Sequence, residues 1–376
     1  MKLPHDTVDP DGLQEFSVVF TDRSLNHMSA KFQGVMREVS VLLKQVYGGS
    51  AVALVPGGGT YGMEAVARQF GQGAVLVVRN GWFSYRWSQI FEAGSIAATT
   101  TVVMARQTGN GAQAPYAPPP IAEVVAKIRE ARPEAVFAPH VETSSGIILP
   151  DFYIAEMAAA AREVGALMVL DCIASGCVWV DMAALGVDVV ISAPQKGWSA
   201  SPAVGIVVLG PRAEARLTET VSTSFALDLK KWRSIMAAYE GGGHAYHATL
   251  PTDAIVGFHA AMQETGAMGF AEAKAAQWAL GQAVRGRLAA RGVVSVAAEG
   301  FQAPGVVVSY TTDPEVQNGA KFRAQGLQIA AGVPLQVGEA AEFRTFRLGL
   351  FGLDKLADVP ATVARLETAL DAVMAP

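Results

Sequence analysis

Cysteine is nearly absent. The chain of 376 residues has two, Cys172 and Cys177. They lie close together and make neither a disulfide framework nor a zinc-ligand spacing, so the expected compartment is the reducing cytoplasm. Charge is scarce too. Asp, Glu, Lys and Arg make up 17% of the residues, the net charge is −5, and no stretch concentrates Lys or Arg. That argues against nucleic acid or an anionic membrane surface as a partner. No apolar run approaches the ~20 residues of a membrane span. The opening Met-Lys-Leu-Pro-His-Asp reads as too polar for a secretory leader, and no His/Cys cluster suggests a metal site. What is abundant is apolar: 51% of the chain. That suits an α/β protein with deeply covered strands, about two domains, and a large subunit interface.

The chain is organised around residues 169–204, VLDCIASGCVWVDMAALGVDVVISAPQKGWSASPAV. An apolar run, 166–170, ends in Asp171. A second, 187–191, ends in Ser192-Ala193-Pro194-Gln195-Lys196-Gly197. Each run is too short for a buried helix and holds β-branched residues, so each reads as a strand of a covered sheet. A carboxylate and a lysine then stand past the carboxyl ends of neighbouring strands, where open α/β sheets bind ligands. A lysine amine forms a Schiff base with an aldehyde cofactor such as pyridoxal phosphate. An aspartate paired with the pyridinium nitrogen keeps that ring an electron sink. Either residue alone would read as an ordinary strand-end charge. It is the pair, with Gly197 permitting a turn after the lysine, that points to function.

Other segments follow a strand–turn–helix rhythm. Ser29 caps a helix expected over 30–46. A strand over 51–55 leads into Pro56-Gly57-Gly58-Gly59-Thr60-Tyr61-Gly62 and a helix over 63–70. Glycines before a helix let the backbone approach an anion. No Gly-Lys-Ser/Thr follows, so this is no Walker loop. Gly57, Gly59 and Gly62 do fit a dinucleotide fingerprint, but Arg79-Asn80 stand where an acidic ribose partner belongs. Strands are expected at 74–78, 135–139 and 203–209, the last antiparallel. Helices are expected at 121–131, 151–164, 254–268 and 270–291, with another beginning near 225. The Gly/Pro-rich stretch 107–120 reads as an irregular surface loop. A small C-terminal sheet is expected from 293–297, 305–310 and 346–349, with helices at 320–325 and 360–374.

These segments, in this order, resemble the class V aminotransferase family of fold type I pyridoxal-phosphate enzymes, nearest the alanine–glyoxylate and serine–pyruvate branch. The resemblance rests on Asp171-Cys-Ile-Ala-Ser175 and Ser192-Ala-Pro-Gln195-Lys196. It extends to Asn80-Gly81-Trp82-Phe83-Ser84-Tyr85-Arg86, His140-Val-Glu142-Thr143-Ser-Ser-Gly146, Tyr246-His-Ala-Thr249-Leu-Pro251 and Arg347-Leu-Gly-Leu-Phe-Gly352.

The resemblance implies a large, mostly parallel seven-stranded sheet with helices on both faces and a smaller C-terminal α/β domain. The expected division is an arm over 1–25, a cofactor domain over 26–255 and a small domain over 256–376. It implies Lys196 as Schiff-base lysine and proton shuttle, with Asp171 at the ring nitrogen. Gly58, Gly59 and Thr60 would hold the cofactor phosphate and Phe83 would stack on the ring, with Trp82 as its neighbour. Thr143 would bond the ring oxygen, Glu142 would orient that loop, and Ile173 and Gln195 would complete the contacts. Tyr246 and Thr249 would reach the cofactor phosphate of a neighbouring subunit, making a homodimer with shared sites. Arg347 would anchor the substrate carboxylate. Arg86 reads as structural, and Ser84 departs from a family glycine.

The activity implied moves the amino group of a small amino acid, alanine or serine type, to a 2-oxo acid such as glyoxylate or pyruvate. The alternatives are a lyase on the same fold, or a donor such as aspartate or an aminophosphonate. Desulfurase chemistry is rejected because no cysteine follows Cys177. The family's Gly-Pro-Gly opening is absent. Phe20-Thr21-Asp22-Arg23 stands there instead, a region expected to reshape the pocket.

Overall fold

A computed structural model describes residues 16–17 and 25–374. The expectations for residues 18–23, Arg23 among them, lie outside the described residues.

Seven strands make one sheet: β1 (Ala51–Pro56), β2 (Ala74–Arg79), β3 (Thr99–Met104), β4 (Ala135–Pro139), β5 (Leu167–Asp171), β6 (Val189–Ser192) and β7 (Val204–Leu209). Their order across the sheet is β1-β7-β6-β5-β4-β2-β3. Only β7 runs antiparallel to its neighbours, as the short connection after Lys196 requires. Every residue of β4, β5, β6 and β7 is buried. A strand buried along its whole length is covered on both faces, which is why these runs are apolar rather than alternating.

The covering helices include α1 (Ala30–Tyr47), α2 (Gly59–Phe70), α3 (Trp82–Ala93), α4 (Ile121–Ala131) and α5 (Asp151–Glu163). They continue with α6 (Met182–Leu185), α7 (Pro211–Glu219), α8 (Leu229–Glu240), α9 (Thr252–Met268) and α10 (Phe270–Ala289). Ser29 caps α1 as expected, its hydroxyl accepting from the Phe32 N–H at 3.2 Å. α2 packs on β7 and α8 on β1.

A second sheet joins β8 (Val306–Tyr310), β9 (Ala330–Ala331) and β10 (Thr345–Gly349) in the order β8-β10-β9. It shares a core with α10 and α11 (Val359–Val373) through Leu280, Val284, Phe322, Phe346 and Leu370. The architecture is therefore the α/β class expected. No helix among the described residues is long and apolar enough to cross a membrane.

The differences are local. α2 starts at Gly59 rather than at 63, so the glycine turn is already the helix's first turn. The 293–297 segment forms only isolated bridges, Ser295 to Ser309 and Ala297 to Tyr116. The stretch 107–120 is not wholly irregular, because Arg106–Gln107 pairs with Tyr116–Ala117. β3, α3 and α7 were not anticipated.

Candidate active site

Parallel pairing aligns the ends of three strands: Pro139 of β4 lies opposite Asp171 of β5, and Asp171 opposite Ile191 of β6. The turn after β6 carries Lys196, and the N-terminus of α2 enters from the end of β1. Between them lies a cavity of about 230 Å³. Eight residues singled out from sequence line it: Gly59, Thr60, Phe83, Thr143, Asp171, Ile173, Gln195 and Lys196. Gly58 adjoins it as the N-cap of α2. The Arg347 guanidinium lies 5.6 Å from the Phe83 ring centroid. Tyr246 and Thr249 are not brought to this cavity within the single chain. Tyr246 is 58% exposed, and its hydroxyl lies 3.4 Å from that of Thr249.

Asp171 is 7% exposed, and one carboxylate oxygen accepts the Ile173 N–H at 2.9 Å. Burial pushes its pKa up to about 6, against the opposing pull of that hydrogen bond and of Lys196. Lys196 is shifted the other way: burial lowers its pKa, while Asp171 and Glu142 partly restore it. Its amine lies 5.8 Å from the Phe83 ring centroid and 5.7 Å from that of Phe351, a distance at which an aromatic face still favours a cation. Gly197 does more than allow a turn. A Cβ there would stand 2.1 Å from the Gly176 carbonyl oxygen. The lysine turn is thus pressed against the segment that follows Asp171, which fixes amine and carboxylate relative to each other.

Behind the cavity, Glu142 is fully buried. It accepts from the backbone N–H groups of Phe83 at 3.2 Å, Ser84 at 2.8 Å and Ser144 at 3.0 Å, and from the hydroxyls of Ser84 at 2.7 Å and Ser144 at 2.8 Å. Ser84, where the family pattern has glycine, is an integral member of this network. His140 closes the Asp171–Ser175 segment. Its backbone N–H donates to the Asp171 carbonyl at 2.8 Å, and its Nδ1 lies 2.7 Å from the Ser175 hydroxyl. Burial drives the His140 pKa down to about 3, so the ring is neutral.

One residue corrects the sequence reading. Arg86, expected to be structural, lines the cavity and donates to the Thr60 hydroxyl at 2.9 Å. Its guanidinium carbon lies 5.3 Å from the Phe83 ring centroid. The Asn80–Arg86 motif marks the segment but not this contact. Only the folding of α3 beside α2 reveals it.

A profile described as "Aminotransferase class-V" matches residues 13–333. The chain belongs to the class V aminotransferase family. Among its curated relatives, 2-aminoethylphosphonate–pyruvate transaminase 2 of Paraburkholderia xenovorans (strain LB400) is 29% identical over 317 residues, 83% of this chain and 80% of that one. The small subunit of a soluble hydrogenase from Synechococcus sp. (strain PCC 6716) is 27% identical over 355 residues, 92% of this chain and 87% of that one. Among solved structures, an alanine–glyoxylate aminotransferase from Nostoc sp. superposes with a TM-score of 0.78 at 22% identity, covering 94% of this chain and 89% of that one. This aminotransferase is pyridoxal-phosphate dependent, as fold and family require.

The residues present fit that cofactor. The N–H groups of Gly58, Gly59 and Thr60 open α2 and meet no protein acceptor among the described residues, as an anion site at a helix N-terminus requires. Arg86 adds a positive charge beside them. The Gln195 Oε1 is buried and without a partner. No hydrogen bond or ion pair holds the Lys196 amine among the described residues. A Cβ on Gly59 would lie 2.4 Å from the Ile173 side chain, so the glycine turn and the segment after β5 are already in contact. The dinucleotide reading is overturned by the family and by Arg79. That arginine donates to the Ser88 hydroxyl at 2.9 Å and the Gln336 carbonyl at 3.1 Å instead of standing free for a 2′-phosphate.

Proposed function

We propose that this aminotransferase moves the amino group of a small amino acid, of alanine or serine type, to a 2-oxo acid such as glyoxylate or pyruvate. The observation that carries the proposal is Arg347. Its Nε donates to the Ala331 carbonyl at 2.8 Å, and among the described residues no carboxylate pairs with it. Burial lowers its pKa, yet a guanidinium stays charged in proteins. A charged planar fork beside the Lys196 turn, partly desolvated and unpaired, is suited to a carboxylate from outside.

Pyridoxal phosphate, when bound, supplies the aldehyde and the electron-accepting ring. The chain supplies the rest. Gly58, Gly59 and Thr60 would hold the phosphate, with Arg86 beside them. Phe83 and Ile173 would hold the ring, with Thr143 and Gln195 at its polar groups. Asp171 would serve the ring nitrogen. Its raised pKa comes from burial, only partly offset by Lys196 and Arg86, and a protonated nitrogen opposite it would draw it back to the carboxylate form. Lys196 would hold and move the proton at the reacting carbon, and its burial-lowered pKa eases release of that proton.

Tyr246 and Thr249, exposed here, complete the phosphate site of a partner copy, so the working unit is a homodimer. The two buried, unpaired cysteines support a cytoplasmic home.

A second reading has its own support. The curated relative from Paraburkholderia is named for 2-aminoethylphosphonate, and Arg347 is equally suited to a phosphonate. A panel of alanine, serine, aspartate and 2-aminoethylphosphonate against glyoxylate and pyruvate separates the readings. Turnover of alanine or serine with kcat/KM above that for the phosphonate supports the first; the reverse order replaces it with the second.

A further inference from the structure

We infer that Phe351 sets the size limit for the donor side chain. This rests on the small-donor reading above but is tested separately from it. The Phe351 ring presents its face to the Lys196 amine, 5.7 Å from centroid to nitrogen, while the Phe83 centroid lies 5.8 Å from the same nitrogen. The substrate carbon that exchanges a proton with Lys196 must come within hydrogen-bond reach of that amine. Its carboxylate is claimed by Arg347 of β10, and Phe351 follows just past the end of that strand. The side chain on that carbon is left to point along the Phe351 face. Carbon–carbon contacts settle near ~3.5–4.0 Å, so a ring this close leaves depth for about one carbon beyond the reacting centre.

The half-buried ring is backed by glycines: a Cβ on Gly305 would stand 2.9 Å from it, and one on Gly176 would stand 3.5 Å from it. This backing is fixed by Gln277, which is fully buried and whose Nε2 donates to the carbonyls of Leu350 at 3.1 Å and Pro304 at 3.3 Å. The Leu350 N–H in turn donates to the Gly305 carbonyl at 2.9 Å. These bonds hold the residues flanking Phe351 on one side and its glycine backing on the other. A wall held from two sides discriminates by size; a mobile one would yield.

The test is the ratio of kcat/KM for leucine to that for alanine, with glyoxylate as common acceptor, on the holoenzyme. In Phe351→Ala the ratio should rise by about tenfold or more, the discrimination expected for a few methylenes in a pocket, and in Phe351→Leu by less. Gly305→Ala, whose Cβ would crowd the ring, should also shift the ratio. If Phe351→Ala loses alanine turnover through misfolding, Phe351→Leu decides. A ratio within about twofold of the parent in the active variants overturns the inference. A parent enzyme that prefers leucine overturns the small-donor reading instead, while a ratio that still moves with residue 351 leaves the wall standing.

Discussion

Replacing Asp171 by Asn should stabilise the cofactor-free protein while disabling the enzyme, and the gain should depend on pH with a defined sign. The carboxyl is buried, and its folded pKa is about 6 against an ordinary 3.8. A buried acid of this kind binds its proton more tightly in the native state. Its stabilising effect is complete below about pH 4 and lost as pH rises to about 6. The gap corresponds to about 3 kcal/mol at neutral pH. Asparagine fills the same volume and still accepts the Ile173 N–H. Against this, Lys196 loses the carboxylate that holds its pKa up, which offsets part of the gain. The expected net benefit is therefore about 1–3 kcal/mol at pH 7, shrinking toward zero by pH 4. Denaturant unfolding of cofactor-free parent and Asp171→Asn across pH 4–7.5, with m values compared, measures it. Adding pyridoxal phosphate should then stabilise the parent more than the variant, because the parent alone offers the ring nitrogen a full charge. A variant equal to or less stable than the parent at every pH, with unchanged m, refutes the reasoning.

Three further outcomes follow from the same geometry. Arg347→Ala should raise KM for carboxylate donors about 10–100-fold, the worth of a charged hydrogen-bonded contact, and Arg347→Lys should recover only part of it; steady-state kinetics decides. Glu142→Gln should cost about 2–4 kcal/mol, because either orientation of the amide sets an NH2 against a backbone N–H; chemical denaturation reads this. Chains carrying Lys196→Ala, mixed with chains carrying Tyr246→Ala and Thr249→Ala, should regain activity that neither has alone, since one site of the mixed dimer is intact. Absence of recovery in a verified mixed dimer removes the shared-site reading.

Much of this was legible in the sequence because buried parallel strands cannot hide. Runs such as Val189–Ser192 are apolar on both faces, and each ends abruptly in polar residues. That transition marks Asp171 and Lys196 in the sequence itself. What escaped has physical reasons. β3 is an edge strand whose threonines are largely solvent-facing, so it lacks the apolar signature of its neighbours. α2 begins on glycine and threonine, poor helix formers, and its first turn reads as loop. α7 is polar enough to resemble a solvated connection. Arg86 belongs to the cavity only because α3 lies against α2, a tertiary fact with no local pattern.

The Glu142 network also bears on when the pocket comes into being. Gly81 opens α3 without a side chain to cap it, and the Trp82, Phe83 and Ser84 N–H groups are met by Ser144 and Glu142 instead. Those acceptors come from a segment some sixty residues away, just past β4, which pairs with β2. The aromatic platform is thus completed from outside its own neighbourhood. Until the centre of the sheet is zipped, the nascent chain owns every ingredient of the site and none of its geometry.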